Sequence, residues 1–281
     1  NEVERAVGPK TRGLMAVPVY GNPCNMDALG SICAQNELTL IEDCCEALGA
    51  RYDGKPVGKF GRIGTFSFYY SHHMTTLEGG MCVSDDTILT ENMRILRAHG
   101  WLRDVESPEV WTRQYPDIDP KFLFVNVGYN LRATELQGAI GNVQLSKLDD
   151  FVEIRRKNAA YFRSELNEYA DILDFQEETP KGRHSWFGFP LCLAEKARFK
   201  VADIRTYLQR KGVETRPVIC GNIARQPGMK LYEHRTVGNL HYADNVMERG
   251  FSFGNHQAID DGAREYVVET IKSFFDSGIG A

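Results

Sequence analysis

Three polar residues in the first third of the chain, Asp43, Ser67 and His72, have types and a spacing that can support chemistry. Asp43 follows the apolar run at residues 38–41. Ser67 lies in a β-rich run that changes into a polar loop and resumes after two glycines, which predicts a strand, a functional loop and a second strand. His72 lies in that loop. Its imidazole can move protons or donate hydrogen bonds, but it has no primary amine with which to form an imine.

Each of these residues also has a plain structural explanation. Asp43 is placed to be the N-cap of a helix over residues 44–48, the commonest role of aspartate in this setting. Ser67 is equally typical of a solvent-facing strand residue. His72 and His73 could form a cation-binding pair, but neighbouring side chains of an extended chain face opposite sides and do not easily meet at one ion. We therefore predict no metal site.

The segments around these residues resemble a known cofactor site. The triplet Ile41-Glu42-Asp43 and residues 66–80 are similar to the pyridoxal-phosphate site of the DegT/DnrJ/EryC1/StrS sugar aminotransferase family. In that family the serine of a Phe-Ser-Phe run holds the cofactor phosphate, and a lysine five residues later forms the Schiff base. Here Ser67 matches the serine, and His72 occupies the lysine position. The resemblance implies pyridoxal 5′-phosphate or pyridoxamine 5′-phosphate as cofactor, with Asp43 holding the pyridine nitrogen protonated.

A histidine at the lysine position blocks an ordinary transaminase mechanism. Within the family, this histidine resembles that of the 3-dehydratases, which deoxygenate 4-keto-6-deoxy sugar nucleotides. The resemblance is strongest to the 3-dehydratases that act on mannose-type sugars. The resemblance implies a lyase that removes the C3 hydroxyl of a nucleotide-linked 4-keto-6-deoxyhexose in deoxysugar and lipopolysaccharide O-antigen synthesis. L-Glutamate would be the amino donor and His72 the base. Other 3-dehydratases of the family carry a cysteine cluster for an iron–sulfur centre, but residues 102–107 contain no cysteine, so we expect no such cluster.

Two alternatives stay open. The first is a sugar-nucleotide aminotransferase of the same family, in which Lys55 or Lys59 forms the imine. The second is a catalytically silent module that binds a sugar nucleotide or dimerises. Because the chain opens at Asn1 in what resembles the middle of the large domain, we expect an N-terminally truncated member, without the turn and helix N-terminus that bind the cofactor phosphate.

Further site residues follow from the same resemblance. Asn130, in the Gly-Tyr-Asn-Leu-Arg element at residues 128–132, matches an asparagine that reaches the cofactor phosphate of the other subunit, which implies a homodimer with a shared active site. Its structural alternative is a helix cap. His99 is either close to the substrate or a cap at the C-terminus of a helix over residues 86–99.

Two residues of the C-terminal part are also candidates for the substrate site. Arg216 is a candidate contact for the phosphates of the sugar nucleotide, because its planar guanidinium matches phosphate geometry. Trp186 is either core packing or a wall of the substrate site, and core packing is favoured for a residue of this type.

The order of predicted elements favours an α/β fold. Strands at residues 13–20 and 38–41 alternate with helices such as residues 26–35, which predicts a mostly parallel sheet with ligands beyond the carboxyl ends of its strands. The resemblance implies the aspartate aminotransferase-like fold of pyridoxal-phosphate enzymes, fold type I. We expect a large domain, incomplete at its N-terminus, over residues 1–165 and a small α+β domain over residues 166–281.

Composition excludes several other classes. The 281 residues carry a formal net charge of −5, whereas a nucleic-acid surface needs a basic stripe. Seven cysteines without a Cys-x-x-Cys pair are not typical of a disulfide framework, so we expect a reducing, cytoplasmic location. The longest nearly apolar run, residues 13–20, is too short to span a bilayer, and we expect no membrane partner.

Overall fold

The computed structural model describes residues 2–277. The helices are α1 Glu2–Ala6, α2 Met26–Gln35, α3 Thr87–Arg97, α4 Glu109–Thr112, α5 Glu135–Leu145, α6 Leu148–Leu166, α7 Val201–Arg210, α8 His241–Arg249 and α9 Asp261–Asp276. The strands are β1 Gly13–Ala16, β2 Thr39–Asp43, β3 Arg51–Tyr52, β4 Lys55–Pro56, β5 Ile63–Ser67, β6 Gly80–Val83, β7 Leu173–Phe175, β8 Gly182–Arg183, β9 Gly188–Leu193, β10 Thr215–Arg216 and β11 Gly250–Gly254.

The N-terminal half is built on a sheet of order β1-β2-β5-β6. β1 runs parallel to β2, and β2 runs parallel to β5, whereas β6 is antiparallel to β5. The predicted, mostly parallel sheet is thus present. Because the first three strands share one direction, their carboxyl ends lie at a common edge, where the ligands of such sheets bind.

β1 is shorter and less buried than the sequence predicts. It ends at Ala16, and the chain turns at a 3-10 segment, Val19–Gly21, in which Tyr20 has a φ of 58°. Pro18 has no N–H to donate to a ladder, which explains why the strand does not continue. Within β1 only Ala16 is buried, and Met15 is 62% exposed, because the described chain covers one side of this edge strand only.

The C-terminal half is an antiparallel sheet of order β10-β11-β9-β7 with helices packed on it. Its core is rich in aromatic and branched side chains: Phe162, Leu166, Phe189, Leu191, Ile204, Phe251, Phe253, Ile271 and Phe274. This half therefore combines an antiparallel sheet with helices. Since α6 supplies Phe162 and Leu166 to this core, the long helix joins the two halves, and the boundary at residue 165 stays a prediction.

Helix predictions succeeded where a cap and a periodic apolar face coincide. α2 has the predicted bounds, and the Asn25 side chain accepts a hydrogen bond from the N–H of Ala28. The alternative helix at residues 44–48 is wrong, because these residues form turns. The proline- and aromatic-rich segment 108–124 contains α4 and a 3-10 turn. At the N-terminus α1 begins at Glu2, and Asn1 lies outside the described residues. No helix within residues 2–277 is long and apolar enough to cross a membrane.

Candidate active site

Asp43 and Ser67 are held at the carboxyl ends of neighbouring parallel strands. Asp43 is the last residue of β2 and lies opposite Thr65 of β5. Its Oδ1 accepts hydrogen bonds from the Thr65 hydroxyl at 3.4 Å and from the Cys45 N–H at 3.2 Å. Ser67 ends β5 two residues further on, and its Oγ accepts from the N–H of Tyr69 at 3.3 Å. The carboxylate and the hydroxyl are therefore presented at one edge.

His72 lies in the loop that follows. Its N–H donates to the carbonyl of Tyr69 at 3.0 Å, and its ring centroid lies 5.0 Å from that of Phe187. Nδ1 is buried without a hydrogen-bond partner in the described chain. Burial lowers the pKa of His72 below its ordinary value of 6.5, the nearby charge of Arg155 lowers it further, and the contact with the Tyr69 backbone opposes this. The neutral imidazole, which can accept a proton, is therefore favoured.

His73 has a different, structural environment. It is fully buried, and its Nε2 lies 3.0 Å from the carbonyl oxygen of Ser185. Burial, and then the charge of Arg155, hold its pKa well below 6.5. The ring of His73 thus fixes the loop to the chain before β9. Among residues 2–277 no group of three or more histidine, cysteine or acidic side chains is placed to hold a metal ion.

Sequence reasoning missed a second carboxylate, Glu46. Its Oε2 accepts a hydrogen bond from the Tyr20 N–H at 3.0 Å. Burial raises the pKa of Glu46, the Tyr20 N–H lowers it, and the charge of Asp43 raises it again. The signal was the spacing of Asp43 and Glu46 in one run, but the sequence did not show that this run forms a turn in which the charge of Asp43 acts on Glu46.

Tyr20 and Phe187 join this edge to the C-terminal sheet. The Tyr20 hydroxyl hydrogen-bonds to the Ser252 hydroxyl at 2.6 Å, and the Phe187 N–H donates to the Tyr20 carbonyl at 2.8 Å. Phe187 consequently reaches both histidine rings, with its centroid 5.8 Å from that of His73. No sequence motif predicted this role, since the partners are far apart along the chain.

The two candidates of the C-terminal part, Arg216 and Trp186, lie in different environments: Arg216 is exposed and Trp186 is buried. Arg216, in β10, is exposed and forms an ion pair with Glu214 at 2.8 Å. The Glu214 hydrogen bond and charge raise the pKa of Arg216, and charge interactions with Tyr70 and Tyr20 place it on the side of the His72 loop. Trp186 belongs to the core, as favoured from the sequence: it is 9% exposed and stacks on His184 with centroids 3.9 Å apart.

His99 and Asn130 lie on two chain segments that contact each other through their backbones. The His99 N–H donates to the carbonyl of Tyr129 at 2.8 Å, and Ala98 bridges to Asn130. Both candidates are exposed. Within the described chain no hydrogen bond, ion pair or ring contact connects either of them to the site at Asp43 and His72. The helix-cap alternative for Asn130 is wrong, because Thr134 caps the following helix.

The lysines of the aminotransferase alternative lie at the other end of β5. Lys55 is in β4, with its Nζ 4.6 Å from the centre of the Phe60 ring, and Lys59 precedes the first residue of β5. Residues 56–59 line one pocket with Phe66, which faces the side of β5 opposite to Ser67 because neighbouring strand residues alternate between faces. Neither lysine is therefore placed to supply the amine that an aminotransferase has at the position of His72.

Residues 1–272 match the DegT/DnrJ/EryC1/StrS aminotransferase family. The chain belongs to this family. The aminotransferase-like α/β fold predicted from the sequence is therefore confirmed.

Individual relatives within the DegT/DnrJ/EryC1/StrS family are similar over nearly the whole chain. GDP-4-keto-6-deoxy-D-mannose 3-dehydratase of Yersinia pseudotuberculosis is 39% identical over 98% of this chain and 68% of the relative. A solved structure of that enzyme from E. coli with bound hydrated PLP has a TM-score of 0.85 and 34% identity, covering 96% of this chain and 69% of that chain. Another, with a trapped PLP-glutamate geminal diamine, has a TM-score of 0.85 and 33% identity, covering 96% and 70%.

The residues present fit the cofactor of the family. A carboxylate that faces the edge of the sheet can hold a protonated ring nitrogen, and the hydroxyl at the end of the next strand can donate to a phosphate. His72 adds a buried ring nitrogen that has no hydrogen-bond partner among the described residues. Such a group needs a partner, and a bound ligand provides one.

Proposed function

We propose that this chain is a pyridoxal-phosphate-dependent 3-dehydratase acting on a nucleotide-linked 4-keto-6-deoxyhexose, with GDP-4-keto-6-deoxymannose as the first substrate to test. The observation that carries the proposal is His72. At the position where an aminotransferase needs an amine, the loop offers a neutral imidazole whose Nδ1 has no hydrogen-bond partner in the described chain. Such a group suits reversible proton transfer and cannot form an imine.

The cofactor would be held by three residues. Asp43 would keep the ring nitrogen protonated, Ser67 would bind the phosphate, and Asn130 would reach the phosphate from a second copy of the chain. When bound, the cofactor supplies an electron sink that stabilises negative charge on the carbon from which a proton is removed. Pyridoxamine 5′-phosphate is the form that we expect to react with the sugar.

The protein's own contribution is proton transfer and orientation. His72 would accept the proton whose loss precedes departure of the C3 hydroxyl as water. Its loop is tied down by the His73–Ser185 contact, and Phe187 packs beside its ring. Arg216 would contact the phosphates of the sugar nucleotide, and His99 the sugar. An oriented base of this kind contributes about 10²- to 10⁴-fold in rate.

The overall reaction must balance in electrons. Replacing the C3 hydroxyl by hydrogen is a two-electron reduction of the sugar, and L-glutamate is the reductant. Each turnover therefore consumes one keto sugar and one glutamate and yields one 3-deoxy-4-keto sugar, one 2-oxoglutarate and one ammonia. A transaminase instead retains the nitrogen on the sugar, so release of ammonia separates the two reactions.

The direct test is incubation with pyridoxal 5′-phosphate, L-glutamate and GDP-4-keto-6-deoxymannose, followed by mass spectrometry. We expect a product that lacks one oxygen atom, formed in equal amounts with 2-oxoglutarate and ammonia. An amino sugar would instead support the aminotransferase alternative. No product, with the cofactor unbound and the sugar nucleotide bound, would support the silent module.

A borohydride experiment addresses the aminotransferase alternative at the level of the protein. If Lys55 or Lys59 formed an imine, reduction would leave the cofactor covalently attached to that lysine. The proposed dehydratase stays unmodified, because His72 is not an amine. Intact-protein mass spectrometry reads the outcome.

We further propose that the active enzyme is a homodimer with shared sites. The accessible surface is 16882 Å², against about 12,000 Å² for a folded monomer of this mass. A run of exposed apolar side chains lies in the sequence on both sides of Asn130: Phe122, Phe124, Val127, Tyr129, Leu131, Leu136, Val143 and Leu145. Burying this face against a second copy would carry Asn130 towards the partner's site. A cytoplasmic location stays a prediction.

A further inference from the structure

Arg155 is a charged residue in an unusual place. It belongs to α6, is 1% exposed and is the largest fully buried side chain of the described residues. No carboxylate within residues 2–277 forms an ion pair with it. Burial lowers its pKa to about 10, so it remains a cation at neutral pH. A buried charge without a counter-ion is costly, and a structure that keeps one has a reason for its position.

The contacts of Arg155 lead to the His72 loop. Its Nη1 donates to the carbonyl oxygens of Asn255 at 2.6 Å and Phe187 at 2.8 Å, with a longer contact to Trp186 at 3.5 Å. Asn255 belongs to the same hydrogen-bond network, because its Nδ2 donates to the carbonyls of Arg155 and Trp186. The guanidinium therefore fixes the backbone of Phe187, the residue whose ring packs on His72.

Two nitrogens of Arg155, Nε and Nη2, have no hydrogen-bond partner in the described chain. Carbonyl oxygens bind the cation but leave its full charge in place. The positive charge of Arg155 lowers the pKa of three histidines, His72, His73 and His256. His256 directly follows Asn255 in the chain. A single buried cation thus influences a set of imidazoles around one site.

Among residues 2–277, no acidic side chain acts on His72 to counter this effect. From its own loop come Tyr69 and the buried His73, from the segment before β9 the ring of Phe187, and from α6 the charge of Arg155. The hydrogen bond to the Tyr69 backbone is the one influence that favours protonation. The protonation of His72 is therefore controlled by the burial of its ring and by the charge of Arg155.

We propose that Arg155 is a positioning residue of this active site: its hydrogen bonds to the carbonyls of Phe187 and Asn255 fix the chain whose Phe187 ring packs on His72, and its buried charge acts on that imidazole. The inference rests on the proposed role of His72 as base. It explains why an arginine is retained inside a core where an apolar residue of the same length would pack at lower cost.

The test compares Arg155→Met, which removes the charge at similar length, with Arg155→Lys, which keeps it. The primary readout is the pKa of His72, from NMR titration of histidine-labelled protein. In Arg155→Met we expect this pKa to rise by about 0.5 to 1 unit, towards its ordinary value, because the opposing cation is gone. In Arg155→Lys we expect it to stay within about 0.2 units of wild type. The internal control is the NMR signal of His234, which is exposed and, among residues 2–277, forms no hydrogen bond or ion pair with Arg155. Its pKa should be the same in all three proteins.

Activity provides the second readout. The acid limb of kcat/KM should move to higher pH in Arg155→Met by the same amount, and Arg155→Lys should keep the wild-type limb even if its maximal rate is lower. An unchanged His72 pKa in folded Arg155→Met overturns the inference, as does an equal shift in Arg155→Lys. If Arg155→Met does not fold, Arg155→Gln replaces it with the same expectations.

The NMR readout also separates this inference from the proposed function. If the enzyme forms no 3-deoxy sugar but the His72 pKa rises in Arg155→Met, the reaction assigned to the site is wrong and the electrostatic role of Arg155 stands. If the 3-deoxy sugar forms but the pKa of His72 does not respond, the assigned reaction stands and Arg155 has a structural role only.

Discussion

The carboxylate of Asp43 accepts a hydrogen bond from the hydroxyl of Thr65, 3.4 Å away, across two parallel strands that end at the same edge. This contact orients Asp43 before any ligand arrives, and the N–H of Cys45 holds the same oxygen. A preoriented acid at the end of β2 is what a protonated ring nitrogen requires.

Asp43→Asn should therefore weaken cofactor binding and lower the rate of product formation by about 10²-fold or more, because an amide cannot carry the compensating negative charge. The cofactor dissociation constant, measured by absorbance titration with pyridoxamine 5′-phosphate, checks the first effect. Asp85→Asn is the matched control, since Asp85 is exposed in the turn after β6. Equal affinity in both variants would remove Asp43 from the cofactor site.

Ser67→Ala should raise the dissociation constant of pyridoxamine 5′-phosphate about tenfold, because a hydrogen bond to a charged group contributes roughly 1.5 kcal/mol. Pyridoxamine without its phosphate should bind both proteins equally weakly, which assigns the loss to the phosphate. Ser107→Ala, an exposed serine, is the control. A similar loss for the phosphate-free compound would contradict the assignment.

The strongest parts of the sequence prediction rest on local signals. Asn25 and the apolar periodicity after it give α2 its bounds, and the glycine pair gives the second strand of the Ser67 loop. The failures depend on distant contacts. Arg155 has the sequence signature of an exposed helical residue, and only the packing of α6 on the C-terminal sheet buries it. The role of Glu46 likewise depends on a distant contact, the hydrogen bond from the N–H of Tyr20.

The shared-site proposal predicts complementation between two inactive variants. His72→Asn and Asn130→Ala, mixed after mild denaturation and refolding, should recover about a quarter of wild-type activity, since half of the dimers are mixed and each contains one intact site. If Asn130 serves its own chain, no mixed dimer has an intact site. Recovery at the level of the unmixed variants would therefore contradict sharing. Sedimentation velocity verifies that both variants remain dimers.

The stability of the fold should fall as the pH is lowered because of His184. This residue is fully buried, and burial lowers its pKa to about 3, with a smaller contribution from the charge of Arg156. In the unfolded chain it binds a proton near pH 6.5, so between pH 6.5 and 3 the unfolded state holds one more proton. The free energy of unfolding should decrease in that window by about 1.4 kcal/mol per pH unit for this group.

Urea unfolding between pH 7 and 4.5 checks this dependence. His184→Asn should lower the stability at pH 7 and show a shallower decline with falling pH, because the titrating group is gone. The exposed His234→Asn should follow the wild-type curve. A decline of equal slope in all three proteins would show that other groups, such as buried His73, account for the acid sensitivity.

Proton transfer by His72 can be measured as the single-turnover rate of deoxygenation in His72→Asn. Protein loaded with pyridoxamine 5′-phosphate is mixed with GDP-4-keto-6-deoxymannose, and the 3-deoxy product is followed by mass spectrometry. If His72 is the base, His72→Asn should bind the cofactor as wild type does and react about 10²- to 10⁴-fold more slowly, with the His234→Asn control unaffected. A rate in His72→Asn within about threefold of wild type would contradict this role of His72.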